Sequence, residues 1–170
     1  VVSPHLPKWG RRGHTDAMNK YAILRTEKLK SAASVWRSLK HAFREQPTEN
    51  ADPERADNNA HLGASSAREA MEKVRARLPE KRRKDAVLAI EYLITASPEA
   101  MAKMAPQERT AYFNDALKWL KQRQGGANVV YSGVHRDEKT QHMYAYVVPL
   151  DESTGRLNAR RWLCGAKALS

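Results

Sequence analysis

Cysteine is almost absent from this sequence, since only Cys164 among its 170 residues carries a thiol. One cysteine can form neither an internal disulfide nor a thiolate metal cage, which is typical of a protein kept in a reducing compartment. No apolar run approaches the roughly twenty residues that a membrane-spanning helix needs. The sequence also contains no segment typical of a secretory signal. We therefore expect a cytoplasmic protein that does not cross a membrane.

Acidic residues are too few to balance the basic ones. Lys and Arg number 30 against 19 Asp and Glu, so the formal net charge is +11 at pH 7. An excess of that size favours a polyanionic partner, chiefly nucleic acid and less often anionic lipid. The composition is otherwise that of a globular chain, and its length suits one compact domain.

The sequence divides into a short leader and a patterned remainder. Residues 1–17 contain two prolines and two glycines without apolar periodicity, which predicts a flexible leader or a non-native extension. We place the folded domain at residues 18–170 and expect it to be truncated at its C-terminus.

Hydrophobic periodicity predicts both helices and strands in this domain. Helices are predicted at 32–44, 67–78 and 106–124, with a further helix start at 97–99. Strands are predicted at 21–24, 86–95, 128–134 and 141–150, and the last two form a hairpin. Residues 45–66 are predicted to be mostly loop. This irregular mixture predicts a single α+β domain with an antiparallel sheet flanked by helices.

The most informative stretch, residues 135–144, reads HRDEKTQHMY. His135 ends one predicted strand and His142 stands near the start of the next, so a hairpin brings both imidazoles to the same end of the sheet. Side chains alternate along a strand, so His142 and Tyr144 share a face. Two imidazoles with an acidic residue between them suit Mn²⁺, Zn²⁺ or a similar cation. The alternative is a solvated hairpin whose acids only form the turn.

A second candidate lies on the helix predicted at 32–44. His41 falls away from the apolar stripe and shares a face with Arg37 and Arg44. Arginines hold phosphate oxygens and favour a neutral neighbouring imidazole, whose lone pair can attack phosphorus. The alternative is a solvent-facing histidine on a basic surface helix.

Further basic and aromatic residues could contact nucleic acid. Candidates for phosphate contacts are Arg37, Lys40, Lys81, Arg82, Arg83 and Lys84; the run at 81–84 could equally be a solvated turn. Trp36, Trp119, Tyr112 and Phe113 are predicted to be core residues. Trp162 and Tyr144, which lie near charges, are the candidates for base stacking.

Three separated motifs together resemble those of one known family. They are SLKHAFRE at 38–45, RKDAVL at 83–88 leading into EYLIT at 91–95, and HRDE at 135–138 followed by HM at 142–143. In order and spacing they resemble the Mob/Pre (MobV) plasmid mobilization relaxases, from about Met18 to the end. The resemblance implies an antiparallel sheet with a metal site. It also implies an enzyme of conjugation and recombination that nicks one strand at the origin of transfer and attaches to the 5′ phosphate.

The resemblance also implies roles for individual residues. His41 matches the nucleophile, a histidine in place of the tyrosine of other relaxases. His135 and His142 match ligands of a divalent metal, Mn²⁺ or Mg²⁺. Glu138 matches an acid that accepts a proton or supports the site, and Arg44 matches an arginine beside the nucleophile.

Two positions depart from the family pattern. Gln141 stands where proline is usual, and Tyr144 stands where the third metal histidine is expected. Two imidazoles bind a cation less tightly than three, so the site is either looser or completed by Tyr144, Glu138, water or a DNA phosphate. Four alternatives therefore stay open: Tyr144 as nucleophile, an inactive DNA-binding remnant, a nuclease that uses water, and an RNA-binding accessory protein.

The expected partner is plasmid DNA, single-stranded or cruciform at the origin of transfer. Relatives are longer, with a C-terminal part linked to dimerisation and membrane association. The resemblance therefore implies a homodimer formed through a region beyond Ser170, and a chain that is either a truncated gene product or an excised domain.

Overall fold

The structure, a computed structural model, describes residues 22–163. Its strands and helices are β1 Ala22–Leu29, α1 Ala32–Ala42, β2 Ala60–Leu62, α2 Ala67–Arg77, β3 Ala89–Ala96, α3 Pro98–Lys103, α4 Pro106–Gln124, β4 Val129–His135, β5 His142–Val147, β6 Leu150–Asp151, β7 Arg156–Leu157 and α5 Ala159–Leu163. Short 3₁₀ helices occupy Pro53–Asn58 and Gly126–Asn128. Within this part of the chain, no helix has the length and apolar character that a membrane span requires.

The centre of the fold is a five-stranded sheet. Its strand order is β1-β3-β5-β4-β2, and every neighbouring pair is antiparallel. β6 and β7 form a separate two-stranded ribbon. The predicted α+β fold is confirmed, and so is the predicted hairpin, which consists of β4 and β5.

Helices cover both faces of the sheet because its strands alternate their side chains between the two faces. α1 and α2 pack on the face that carries Tyr144 and Tyr146. α3 and α4 pack on the opposite face, against Met143 and Ala145. His142 shares the parity of Tyr144 and therefore lies on the α1 face.

α1 begins and ends at well-defined caps. At its start the Ser31 side chain accepts a hydrogen bond from the first turn. Val35, Leu39 and Ala42 recur at helical spacing and are fully buried, which fixes the face that packs on the sheet. The helix ends two residues earlier than predicted because Arg44 has a φ of 56°, a left-handed conformation that terminates helices.

Other predicted boundaries also differ from the structure. β1 extends to Leu29 because its polar middle lies exposed on an edge strand, where no apolar pattern is needed. β3 begins at Ala89 rather than at residue 86. Residues 45–66 contain a 3₁₀ helix and β2. The predicted leader at 1–17, the start of the first predicted strand at Tyr21, and Cys164 lie outside the described residues.

The aromatic residues predicted for the core divide into two groups. Tyr112 and Phe113 are buried as predicted, and Trp119 packs against the same side of the sheet. Trp36, however, is 37% exposed. It follows Val35 directly, and a turn of about 100° per residue takes its side chain off the buried stripe. The prediction that Trp36 belongs to the core is wrong.

Gly133 is required where β4 meets β2. A Cβ atom at this position would lie 2.9 Å from the carbonyl oxygen of Ala60 and closer still to the Tyr131 hydroxyl. We expect Gly133→Ala to reduce the free energy of unfolding by about 1–3 kcal/mol, because neither backbone can move without breaking the pairing. Urea titration measures this loss. The matched control is Gly126→Ala, whose Cβ would meet no atom within 4 Å; equal losses in both variants would contradict the steric argument.

Candidate functional site

The β4–β5 hairpin places two histidines directly opposite each other. His135 and His142 are a register pair at the end of the sheet, on the face that α1 covers. The Nδ1 atom of His135 lies 3.2 Å from the Nε2 atom of His142, and both side chains are buried. The structure therefore brings together the two imidazoles that the sequence had separated by seven positions.

Backbone carbonyls determine which nitrogen of each ring carries the proton. Nε2 of His135 donates a hydrogen bond to the carbonyl oxygen of Ala42 at 2.7 Å, and Nδ1 of His142 donates to that of Thr140 at 3.0 Å. Since a carbonyl oxygen only accepts, the other nitrogen of each ring, in its neutral form, presents a free lone pair. Those two lone pairs point at each other, an arrangement that fits metal ligands whose second nitrogen is fixed by the backbone.

A carboxylate completes this cluster. Glu138 Oε1 lies 3.9 Å from the Nε2 atom of His142, and single ligand atoms of His135, Glu138 and His142 all lie within 4.8 Å of one another. Two imidazoles and one carboxylate are ligands that Mn²⁺ and related divalent cations accept. The chemistry of these donors therefore fits the predicted cation.

Arg44 holds the turn that carries the carboxylate. Its guanidinium donates to both oxygens of Asp137, at 2.7 and 2.8 Å, and to Glu138 at 2.7 Å. A guanidinium bound to two carboxylates has little capacity left for a phosphate. Arg44 thus lies beside the predicted site as the partner of these two acids.

The left-handed backbone of Arg44 is part of this arrangement. The N–H of Glu45 donates to the Lys40 carbonyl at 2.8 Å, and the N–H of Arg44 donates to that of His41 at 3.1 Å, the pair of bonds that defines a Schellman cap. Glycine usually occupies the left-handed position, and a residue with a Cβ is strained there by about 1–2 kcal/mol. Arg44 occupies it while its side chain reaches the two acids.

Asn59 secures the same turn from the opposite side. Its Oδ1 accepts from the backbone N–H groups of Arg136 and Asp137, at 2.7 and 3.2 Å, and its Nδ2 donates to Asp137 at 2.9 Å. The backbone N–H of Asp52 also donates to the Asp137 carbonyl at 2.8 Å. Segment 52–59 therefore clamps the turn between the two histidines.

These contacts change the pKa values of the buried groups. Burial, aided by the nearby positive Arg44, lowers the pKa of His135 to about 3, so the ring is neutral at pH 7. Burial alone would raise the pKa of Asp137, but hydrogen bonds from Arg44 and Asn59 bring it down to about 2. Burial, aided by Glu91 and Glu138, raises the pKa of Tyr144 to about 12. At pH 7, Asp137 is therefore an anion and Tyr144 a neutral phenol.

His41 lies on the last turn of α1, close to these rings. Its ring centroid is 6.4 Å from that of Tyr144, which in turn lies 4.9 Å from His135 and 5.0 Å from His142. One tyrosine ring thus separates the predicted nucleophile from the two imidazoles. Among the described residues, no hydrogen bond links His41 to Glu138.

A polar contact upstream on α1 fixes the helix to the sheet. The Ser38 hydroxyl lies 2.7 Å from the Tyr146 hydroxyl and donates to the Glu91 carboxylate, while Tyr146 also donates to the Ser38 carbonyl at 3.1 Å. Together with the bond from His135 to Ala42, this contact sets the height and rotation of the turn that carries His41.

The predicted phosphate contacts fall in two places. Arg37 is exposed and Lys40 half-buried, both on α1 near His41. Residues 81–84 are exposed and precede the first residue of β3, Ala89. His142 lies beside the opposite end of β3, where Ile94 pairs with Met143. The length of β3 places about 20 Å between this run and the histidine cluster. The structure therefore does not bring residues 81–84 to the predicted site.

Three residues of this run, Lys81, Arg82 and Arg83, line a separate basic groove of about 640 Å³. We define the distal groove as the space that Lys81, Arg82, Arg83, Thr154, Arg156 and Asn158 line, together with Ala86 and Leu157. Trp162, a predicted stacking residue, is half-buried on α5, and the Arg161 guanidinium lies 4.7 Å from its ring.

Sequence reasoning missed several residues around the cluster. Asn59 was interpreted as a loop former, and Asp137 only as part of a turn. The polar residues before Asn59 show no apolar periodicity. Nothing in the sequence therefore indicated that Asn59 contacts the turn at Arg136 and Asp137, about eighty residues further along the chain.

Comparison with known proteins places the chain in a family. A family model described as plasmid recombination enzyme (Mob_Pre) matches residues 18–170. A 65 kDa protein of Zymomonas mobilis is 35% identical over 158 residues, covering 90% of this chain and 27% of that protein. Plasmid recombination enzyme type 3 of Staphylococcus aureus is 32% identical over 159 residues, covering 88% of this chain and 38% of that protein. The chain thus spans less than two fifths of these relatives.

Solved structures show the same fold. The MobM relaxase domain, Mn-bound and bound to plasmid pMV158 oriT DNA, superposes with a TM-score of 0.73 at 26% identity, covering 85% of this chain and 78% of that one. A second Mn-bound complex of that domain gives 0.70 at 28% identity, covering 82% and 75%. These matches confirm the resemblance that the motifs indicated. The chain belongs to the plasmid recombination enzyme (Mob/Pre) family.

Proposed function

We propose that this chain is a relaxase domain that nicks one strand of plasmid DNA at an origin of transfer, with a divalent cation on His135, Glu138 and His142. The observation that carries the proposal is the pair of free lone pairs beside a carboxylate, one tyrosine ring away from His41. The Mn-bound, oriT-bound domains that the chain resembles support it.

The cluster is unfavourable by itself, which also supports the proposal. Two nitrogen lone pairs 3.2 Å apart repel each other unless a proton or a cation lies between them. A proton on His135 is disfavoured because burial and Arg44 lower its pKa. When bound, a divalent cation supplies Lewis-acid polarisation of a phosphoryl oxygen and offsets the negative charge that develops there.

The chain's own residues perform the remaining steps. A neutral His41 ring attacks the phosphorus in line, forming a P–N bond while the P–O3′ bond breaks and its electron pair stays on the 3′ oxygen. That oxygen takes up a proton and becomes a 3′ hydroxyl. The proton lost by the His41 ring passes to solvent, or to Glu138 once the bound strand draws the two side chains together.

Each basic patch has a separate role in this proposal. Arg37 and Lys40 contact phosphates next to the scissile one, because they share the exposed side of α1 with His41. The distal groove contacts phosphates about 20 Å away, a span of about six nucleotides at the stacked spacing of about 3.4 Å. Arg44 positions Glu138 and Asp137 and does not contact DNA.

The nucleophile assignment can be tested by trapping the covalent product. We expect His41→Ala to lose the denaturation-resistant protein–DNA adduct on supercoiled plasmid with Mn²⁺, while DNA affinity changes by less than a few-fold. The reason is that His41 supplies the attacking atom but no phosphate charge. Gel electrophoresis in detergent measures the adduct, and filter binding measures the affinity.

Tyr144→Phe is the matched control, because it removes the competing nucleophile and keeps the ring. Its adduct should persist and should be labile to acid, as a P–N bond is. An adduct that survives His41→Ala contradicts the assignment. Protein-free nicks would indicate a nuclease that uses water, and intact plasmid with a gel shift would indicate an inactive remnant.

Support of the metal site by Asn59 can be tested without catalysis. We expect Asn59→Ala to weaken Mn²⁺ binding about 10- to 100-fold, the range typical of residues that orient metal ligands. The turn that carries Glu138 then loses three hydrogen bonds. Titration calorimetry measures the affinity.

Asn58→Ala is the control for that variant, because among the described residues Asn58 contributes only its carbonyl, which accepts from Arg136. Its Mn²⁺ affinity should match that of the unaltered chain. Equal weakening in both variants would mean that segment 52–59 does not act through the Asn59 side chain.

The distal groove should contribute salt-dependent affinity. We expect the double variant Lys81→Glu with Arg156→Glu to make the dependence of log K on log salt shallower by about 1.4 to 1.8, the loss of two phosphate contacts. The charge-matched control is Lys103→Glu with Lys118→Glu, on the α3–α4 side of the sheet. Equal changes in slope would show that only net charge matters.

A further inference from the structure

Trp36 is an exposed aromatic residue on the helix that carries the proposed nucleophile. Together with Leu62, it is one of the two large apolar side chains left exposed in residues 22–163. Trp36 does not contribute to the packing of α1 on the sheet, because Val35, Leu39 and Ala42 form the buried face of this helix. An exposed tryptophan gains stability only when something else covers it.

The neighbours of Trp36 are cationic. The Lys40 ammonium lies 5.9 Å from the centre of its ring. Arg37 is exposed one position further along. Within residues 22–163, neither cation forms an ion pair with a carboxylate, so both remain available to an anion. An aromatic face flanked by free cations is typical of a surface that binds single-stranded nucleic acid.

These side chains form one continuous arc. At about 100° per residue, the order around α1 is Trp36, Lys40, Arg37 and His41, and the buried residues occupy the opposite side. The five residue steps from Trp36 to His41 rise about 7.5 Å along the axis, the height of about two stacked bases. A strand held at His41 would therefore pass over the tryptophan.

We propose that Trp36 is a stacking platform for one nucleobase of the bound strand, one or two nucleotides from the phosphate that faces His41. Lys40 and Arg37 hold the phosphates in between. This inference rests on the proposed function and adds a base-binding residue to it. Stacking uses the flat face that every base has, so the platform selects single-stranded over paired DNA rather than one sequence.

The test compares two phosphate chains of equal charge. One probe is a strand of about 12 thymidines, within the usual site sizes, and the other is an abasic strand of the same length. We expect Trp36→Ala to bind the thymidine strand about 5- to 150-fold more weakly and the abasic strand unchanged. Trp36→Phe should restore most of the loss, because it keeps an aromatic face. Fluorescence anisotropy of a labelled strand measures both affinities.

Trp162→Ala tests the competing stacking candidate, since Trp162 also has a cation over its ring but lies on α5. An equal loss on both probes in Trp36→Ala, or a base-dependent loss only in Trp162→Ala, overturns the proposal. So does unchanged affinity with altered sedimentation, which would make Trp36 a contact between copies of the chain. These measurements report binding and do not require DNA cleavage. Failure of the unaltered chain to form a covalent adduct would therefore contradict the proposed function, while the binding assays would still decide the role of Trp36.

Discussion

The hydrogen bond from His135 to the Ala42 carbonyl joins the two halves of the candidate site. Carbonyls in the last turn of a helix have no partner within the helix, and this one is satisfied by a ring on the sheet. The bond fixes the His135 tautomer so that its other nitrogen faces His142. It also fixes the end of α1, which carries His41 just before Ala42 and Arg44 just after it. This one hydrogen bond therefore connects the helix that carries His41 to the hairpin that carries His135, Glu138 and His142.

The site contains several features that are unfavourable for stability alone. Lone pairs face each other, Arg44 has a left-handed backbone, and a carboxylate is buried at Asp137. Such features persist only where surrounding contacts determine them, and they concentrate at functional sites. Here the surrounding contacts are the guanidinium of Arg44 and the amide of Asn59. Breaking either leaves a buried charge or unpaired backbone groups, which costs more than the individual bond is worth.

The sequence predicted the part of the site that local patterning determines. Alternation along β5 placed His142 and Tyr144 on one face, and the hairpin placed His135 opposite, because both follow from strand geometry. Segment 52–59 could not be predicted, since its contacts with the turn come from single polar atoms far away in sequence. Arg44 was predicted to be the last helical residue because the apolar periodicity of the helix continues to Phe43, and only the Schellman cap shows that the helix ends earlier. Trp36 was assigned to the core because it follows the buried Val35 in an apolar stretch. The sequence pattern does not show that Trp36 lies just outside the buried face of the helix.

Tyr144 shows how the departure from the family pattern fits the geometry. With a pKa near 12, it is a neutral phenol at pH 7 and not an anionic ligand. Its ring meets His41, His135 and His142 edge to face, an arrangement favoured between aromatic rings. A third imidazole at this position would add a donor, whereas the tyrosine adds packing that holds the other rings in place. In the proposed site two imidazoles and Glu138 would be the remaining donors. More of a cation's coordination would then be left to water and phosphate oxygens, and its affinity would depend more strongly on the contacts of segment 52–59 with the turn.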